Sequence, residues 1–125
     1  MSFDWREFIQ LSKSLLKNNE EASFRSAISR AYYAAFNLSE IFTNMWISGI
    51  YAGPKKDPSI HDIVIYKLSN ASDSCMGRAG RKLSRLWGKR IISDYKRDIP
   101  INEPDAKTSI TWAEEIINVI DNWRP

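Results

Sequence analysis

Apolar residues recur along the chain at the three- and four-residue spacing of amphipathic helices, and no segment shows the strict alternation of a half-buried strand. The clearest pattern predicts a helix over residues 21–48, whose apolar side chains form one stripe. The stripe consists of Phe24, Ala27, Ile28, Ala31, Ala35, Leu38, Phe42, Met45 and Trp46. Residues 49–58 contain two prolines, two glycines and a lysine pair, which predicts a loop after this helix.

Weaker helical patterns flank this segment on both sides. Asp4 is predicted to cap a first helix, and Ser59 is predicted to cap a short helix that follows the loop. Residues 69–80 are small and polar, which predicts a bend, and the helical pattern resumes over residues 81–97. Pro104 and the apolar stripe that follows it predict a last helix.

The fold class follows from these stripes. Helices that are each apolar on one side can bury those sides only against one another. We therefore expect an all-α fold, an up-and-down antiparallel bundle of four to five helices that forms a single domain over residues 1–125. The composition agrees, because 43% of the residues are hydrophobic and 26% are charged, which is typical of a globular protein.

Composition also narrows the cellular setting and the chemistry. Cys75 is the one cysteine, so an intrachain disulfide is excluded, and we interpret it as a buried or bend residue. The first residues are acidic where a signal peptide would be basic, and no apolar stretch reaches the roughly 18 residues of a membrane span. We expect a cytoplasmic protein that does not associate with a membrane, and we predict neither a cofactor nor a metal site.

One charged pair interrupts an apolar helix face. On a helical wheel, Arg90 and Asp94 fall in the middle of the face centred on Leu83. Burial of an isolated guanidinium is costly, and the i,i+4 spacing lets Asp94 compensate for it. One interpretation is an ion pair that fixes helix packing. The other is a cleft in which Arg90 meets a phosphate and Tyr95 supplies a hydroxyl or a stacking surface.

The opposite side of the same helix carries a stripe of cations, which we call the basic ridge. It consists of Arg78, Arg81, Lys82, Arg85, Lys89 and Lys96. Residues 78–98 hold eight Lys or Arg against two acidic residues, whereas the rest of the chain holds ten against thirteen. Such a stripe suits a polyanion, since phosphate contacts give affinity without sequence readout. An ordinary solvated helix face and a surface for an acidic protein are the alternatives.

The predicted second helix mixes aromatic and small polar residues on the side opposite its core stripe. The residues that we assign to a homodimer interface there are Ser29, Arg30, Tyr33, Phe36 and Asn37. This mixture is poorly suited to solvent alone and suits a self-complementary contact. The alternative is that this side packs against another helix of the same bundle.

Two segments of the chain carry a family resemblance. The string RSAISRAYYAAF at residues 25–36, followed by His61 and by Arg90, Asp94 and Tyr95, resembles the HEPN domain family, in its small prokaryotic branch related to the C-terminal domain of sacsin. The resemblance covers nearly the whole chain and implies a four- to five-helix bundle that is commonly a homodimer. It also implies a ribonuclease that needs no metal, a toxin or phage-defence effector, a partner of a nucleotidyltransferase, or a non-catalytic binder of RNA or a nucleotide.

The nuclease members of that family place a histidine four to six residues after an arginine on one helix. Here Tyr95 stands at that distance from Arg90, and the single histidine, His61, lies on a different predicted helix. The histidine would take the proton of a ribose 2′-hydroxyl while the arginine stabilises the charge on the phosphoryl group. A tyrosine, with an ordinary pKa of about 10, is a poor base near neutral pH. Catalysis would therefore require the fold to bring His61 beside Arg90.

We expect a HEPN-like protein that binds RNA or a nucleotide through residues 81–97 without turnover, in a toxin–antitoxin or phage-defence system with a nucleotidyltransferase or antitoxin partner. Arg90 would contact phosphate, Asp94 would hold Arg90, and Tyr95 would stack, while the basic ridge attracts the polyanion. One alternative is a metal-independent ribonuclease toxin that uses Arg90 and His61. The other is an adaptor that docks its basic ridge on an acidic partner.

Overall fold

The computed structural model describes residues 2–125, which form five α-helices and no strand. The helices are α1 (Glu7–Leu15), α2 (Glu21–Trp46), α3 (Ile60–Ser69), α4 (Ser74–Tyr95) and α5 (Glu103–Asn122), and a 3₁₀ turn at Leu16–Asn18 follows α1. Each helix packs against the next one along the chain, and α2 packs against all four others. The predicted all-α bundle is confirmed.

Side-chain caps fix where three of the helices begin. Ser59 Oγ accepts a hydrogen bond from the backbone N–H of Asp62 at 3.2 Å, and the Asp62 carboxylate accepts one from the backbone N–H of Ser59 at 2.9 Å. This reciprocal capping box satisfies N–H groups that a helix start leaves unpaired. Asn102 and Asp105 form the same arrangement at α5, and Asp73 caps α4. The predicted Ser59 cap is confirmed.

The first helix begins later than a cap at Asp4 predicts. The Asp4 carboxylate accepts a hydrogen bond from the backbone N–H of Arg6 at 3.0 Å, in the turn that precedes α1. No side chain caps α1 itself, whose first helical residue is Glu7. Asp4 therefore stabilises the turn before α1 and not its first helical turn.

Helix α4 begins earlier than the sequence predicts. The bend predicted over residues 69–80 is confined to residues 70–73, because α3 ends at Ser69 and α4 already starts at Ser74. A Cβ atom built on Gly80 would lie 2.4 Å from the backbone nitrogen of Ser69, the last residue of α3. The small residues of this segment therefore permit close contact between α3 and α4, and they do not interrupt the helix.

Helix α2 lies at the centre of the bundle and is buried on most of its circumference. Tyr32, Ala34 and Ala35, which point in different directions around the helix, each have 0% exposure. Within α2, a narrow polar stripe on the remaining side is partly exposed. Its last turn is different, since Met45 and Trp46 are 67% and 50% exposed although the stripe placed them in the core. That turn packs against the chain end, where the Trp46 and Trp123 ring centres are 4.9 Å apart.

One arginine of α2 holds the end of α4. The Arg25 guanidinium donates hydrogen bonds to the backbone carbonyls of Ile92, Ser93, Lys96 and Ile99, at 2.5–3.2 Å. Carbonyls at the end of a helix have few N–H partners, and a cation there gives them further hydrogen bonds. Arg25 thereby fixes the last turn of α4, which carries Asp94 and Tyr95. Over residues 2–125, no helix is both long and apolar enough to cross a membrane.

Candidate functional site

Side chains from three helices meet on one side of α4, and we call them the Arg90 cluster. The cluster consists of Tyr32, Tyr33 and Phe36 of α2, His61 of α3, and Trp87, Arg90, Asp94 and Tyr95 of α4. Ring-to-ring and cation-to-ring contacts connect its members across the three helices. The packing of α3 and α4 against α2 therefore places a cation, a carboxylate and an imidazole among aromatic rings.

The Arg90 side chain is held in place but its donors are not used up. It is 15% exposed, and its Nε lies 2.8 Å from Oδ2 of Asp94, which is an ion-pair distance. The Nε–H bond does not point at that oxygen, and Nε has no hydrogen-bond partner among residues 2–125. Within the same residues the two Nη nitrogens make no hydrogen bond and are not buried, so they are accessible to solvent. Asp94 balances the charge of Arg90 and lies against its buried Nε, so the two Nη groups are the donors that stay available.

Two tyrosine rings contact the guanidinium. The Cζ atom of Arg90 lies 5.0 Å from the ring centre of Tyr33 and 5.4 Å from that of Tyr95, and both distances are in the cation–π range. Tyr33 is half-buried against the bundle, whereas Tyr95 is 68% exposed. The rings restrain the planar guanidinium, and the exposed face of Tyr95 is available for stacking.

Asp94 is itself held from the central helix. Ser29 Oγ donates a hydrogen bond to Oδ2 of Asp94 at 3.1 Å. The carboxylate side chain is 25% exposed. The ion pair is therefore restrained from both sides, Asp94 by α2 and Arg90 by the tyrosine rings.

The structure brings His61 to the same site. Its ring stacks on Phe36 and on Trp87, with ring centres 4.4 Å and 5.4 Å apart. Burial and the positive charge of Arg90 lower the pKa of His61 below its ordinary value, while Asp62 acts in the opposite direction. The imidazole is therefore neutral near pH 7.

The inner side of the imidazole meets a buried phenol. The Nδ1 atom of His61 lies 2.6 Å from the hydroxyl oxygen of Tyr32, whose side chain has 0% exposure. Burial raises the pKa of Tyr32 far above its ordinary value, and the neighbouring Tyr33 adds to this effect. Tyr32 is therefore protonated at every physiological pH. Sequence reasoning did not single out this residue, because its role depends on contacts between α2 and α3.

Sequence reasoning also missed Lys55, in the loop between α2 and α3. Its Nζ atom lies 5.5 Å from the ring centre of Trp87 and 2.9 Å from Oδ1 of Asp62. Lys55 adds a second cation near the edge of the Arg90 cluster. The lysine pair in the loop is visible in the sequence, but only the fold of the loop places Lys55 against Trp87.

The basic ridge lies on another side of α4, toward α5. A groove of about 580 Å³ between these helices is lined by Arg78, Arg81, Lys82, Arg85 and Glu115, among others. Lys82 forms an ion pair with Glu115, and Nζ of Lys89 lies 5.3 Å from the ring centre of Trp112. Arg78, Arg81, Arg85 and Lys96 are exposed. Most of the ridge is thus solvated, and α5 pairs one of its lysines with a carboxylate.

Two of the five residues that we assigned to a homodimer interface are buried inside the chain. Ser29 and Phe36 are each only 5% exposed, so their assignment to a free surface is corrected. The Arg30 guanidinium lies 5.1 Å from the Phe8 ring centre of α1, and Asn37 donates a hydrogen bond to the Tyr33 carbonyl at 2.8 Å. Ser29 and Phe36 lie on the packed side of α2, whereas Arg30, Tyr33 and Asn37 stay half-exposed.

Two further expectations concern reactive groups. Cys75 is exposed in the first turn of α4, so its interpretation as a buried or bend residue is wrong. Arg78 donates a hydrogen bond to its sulfur at 3.3 Å. Among residues 2–125, no three His, Cys, Asp or Glu side chains are close enough to hold a metal ion.

No family model, curated protein or solved structure matches the chain significantly. The resemblance to the HEPN family stays a prediction that depends on the residues quoted for it.

Proposed function

We propose that this chain binds a phosphate group of RNA or of a nucleotide at Arg90, without turnover. The observation that carries the proposal is the state of the Arg90 guanidinium, which is restrained by rings and balanced by Asp94, while its two solvent-accessible Nη groups have no hydrogen-bond acceptor among residues 2–125. Accessible guanidinium N–H groups that no acceptor of the chain occupies are free to donate to a bound anion. Arginine also recognises phosphate in a bidentate manner.

The surroundings of Arg90 favour a nucleotide over a free phosphate. Tyr95 exposes a ring beside the guanidinium, and nucleobases stack on aromatic side chains without regard to sequence. The basic ridge supports attraction of a longer polyanion at low salt. The HEPN resemblance is what favours RNA as that polyanion and a toxin–antitoxin or phage-defence setting.

Binding is tested with a labelled single-stranded RNA and with a mononucleotide as competitor, at low salt. We expect Arg90→Ala to lower mononucleotide affinity by about tenfold or more, since hydrogen bonds to charged groups contribute about 1.5–3 kcal/mol. Arg85→Ala is the matched control, because it removes an arginine from the exposed side of the same helix. Its effect on the mononucleotide should stay below about twofold.

Two outcomes would contradict the proposal. If the wild-type protein binds neither RNA nor nucleotide at low salt, an adaptor that docks on an acidic protein becomes the better hypothesis. Equal losses for Arg90→Ala and Arg85→Ala would mean that binding is diffuse attraction to a positive surface.

The ribonuclease is a second candidate, and the observation that favours it is the neutral His61 beside Arg90. An RNA cleavage assay without metal, on wild type, His61→Ala and Arg90→Ala, separates it from binding. Turnover that both substitutions abolish would replace the binding proposal with the ribonuclease. Turnover that survives both would mean that the Arg90 cluster is not the site.

A further inference from the structure

Two polar atoms of the Arg90 cluster are not explained by phosphate contact at Arg90. One is the hydroxyl of Tyr32, which lies at the bottom of the cluster with 0% exposure of its side chain. The other is Nε2 of His61, which makes no hydrogen bond among residues 2–125 and is not buried there. The imidazole therefore presents one nitrogen to the phenol and the other to solvent.

The direction of the hydrogen bond between Tyr32 and His61 decides which nitrogen carries the proton. The Tyr32 hydroxyl has one hydrogen, and Nδ1 of His61, at 2.6 Å, is its partner. If Nδ1 donated instead, the hydroxyl hydrogen would be buried without an acceptor, which is costly. Tyr32 therefore donates to the lone pair of Nδ1, and in the neutral imidazole the proton lies on Nε2.

We propose that Tyr32 is a positioning residue that fixes His61 in the neutral tautomer with the proton on Nε2, so that His61 donates a hydrogen bond to a phosphate oxygen beside Arg90. This inference rests on the proposed function for the identity of the acceptor. It assigns His61 the role of a neutral donor and not that of a general base, because Nδ1 is occupied by Tyr32 and Nε2 has no free lone pair.

The packing around the ring supports a fixed orientation. Phe36 and Trp87 stack against the imidazole, so the ring cannot turn over without disturbing both contacts. The charged and titratable groups that face it are Arg90 of α4, Tyr32 and Tyr33 of α2, and Asp62 of its own helix, which Lys55 of the loop neutralises. Arg90 and burial both oppose a second proton on the ring.

Nitrogen NMR reads the tautomer directly, and the single histidine of the chain makes its assignment unambiguous. In ¹⁵N-labelled wild type at about pH 7.5, above the ordinary pKa of histidine, we expect Nε2 to be protonated and Nδ1 unprotonated. In Tyr32→Phe, the ring should populate the other tautomer and its pKa should rise, because a bond that favours the neutral form is gone. Tyr66→Phe, on the same helix as His61, is the control and should change neither.

Binding of inorganic phosphate and of a nucleoside monophosphate then tests the donor role. At about pH 8, where His61 is neutral, Tyr32→Phe should weaken binding by about two- to tenfold, as expected for one hydrogen bond. His61→Gln retains an N–H donor and should bind more tightly than His61→Ala. A purely structural role of His61 would not distinguish Gln from Ala in this way.

The possible failures are distinguishable. A wild-type ring with its proton on Nδ1, or equal binding by His61→Gln and His61→Ala, overturns the inference whatever the ligand is. A ring with its proton on Nε2 that does not respond to phosphate or nucleotide, in a protein that binds neither, overturns the proposed function and with it the donor role. If circular dichroism shows that Tyr32→Phe is unfolded, the comparison of His61→Gln with His61→Ala decides whether His61 is a donor.

Discussion

Helix α4 carries two groups of cations that differ in how they are held. Arg90 lies among rings from three helices and has a single carboxylate beside it, itself fixed by Ser29. The basic ridge lies toward α5, where most of its side chains are exposed and Lys82 is paired with Glu115. Arg90 is therefore restrained by several neighbours, whereas most of the ridge cations are exposed.

The two regions are therefore suited to different ligands. A fixed guanidinium with unused donors selects one group of matching shape, such as a phosphate. Exposed cations attract any polyanion, are screened by salt, and carry little structural information. We therefore expect short ligands to depend on the Arg90 cluster, and long ones to depend on the ridge in addition.

The most disruptive test moves α3 away from α4. Gly80→Ala places a Cβ atom 2.4 Å from the backbone nitrogen of Ser69, so we expect a loss of about 1–3 kcal/mol in the free energy of unfolding. His61, which α3 carries, should move with it, and mononucleotide affinity should fall. Urea unfolding and a binding titration measure the two effects.

Gly88→Ala is the matched control for that substitution. Gly88 lies on the same helix, and a Cβ atom there meets nothing within 4 Å. We expect a gain of about 0.5–1 kcal/mol from helix propensity. Equal effects at Gly80 and Gly88 would show that close contact between α3 and α4 does not hold the cluster together.

A charge reversal on the ridge should separate long ligands from short ones. Arg85→Glu is expected to lower the affinity for single-stranded RNA by about tenfold at low salt and to reduce the salt dependence of binding. The mononucleotide affinity should be unchanged. Lys17→Glu, an exposed reversal far from α4 in sequence, controls for net charge, and an equal loss from it would refute a specific contribution of the ridge.

Neutralising Asp94 changes the Arg90 cluster and leaves the basic ridge as it is. Asp94→Asn keeps an oxygen that accepts from Ser29, but it removes a negative charge close to the anion that Arg90 binds. We expect phosphate affinity to rise by about two- to fivefold, because Asp94 is partly exposed and two unit charges about 4 Å apart repel by about 1 kcal/mol in water. Calorimetric titration measures the change, and a large loss of affinity would mean that the ion pair is needed to position Arg90.

The smallest expected effect is on stability at mildly acid pH. The pKa of His61 is lower in the folded chain than its ordinary value of 6.5, so the unfolded state binds the extra proton more readily. The contribution of His61 to the free energy of unfolding is therefore fully present above about pH 6.5 and is lost as the pH falls through the pKa that His61 has in the folded state.

The acid effect should be below about 1 kcal/mol, because His61 is partly exposed. Burial raises the pKa of Asp62, but hydrogen bonds from Lys55 and Ser59 outweigh it and lower this pKa overall. The contribution of Asp62 to stability is therefore lost only at still lower pH, below its ordinary pKa of 3.8. Urea unfolding of wild type and His61→Gln between about pH 5 and 7 measures the difference. Identical pH slopes would contradict it.

Helical periodicity was sufficient to predict the all-α fold, and the Ser59 cap could be read from local sequence. The start of α4 could not, because glycines that permit close helix contact are the same residues that form bends. The position of Arg90 and Asp94 on an apolar face indicated a special site. Tyr32, Lys55 and the distribution of the interface residues depend on which helices become neighbours, and one helical wheel does not contain that information.

The most direct test of phosphate binding at Arg90 follows the side chains of Arg90 and Arg85 by NMR while a nucleoside monophosphate is added. Binding at the Arg90 cluster predicts that the Nε–H resonance of Arg90 and the Nε2–H resonance of His61 shift together with one dissociation constant, while Arg85 does not respond. Shifts confined to Arg85 and other cations of the basic ridge, with Arg90 unchanged, would contradict the claim.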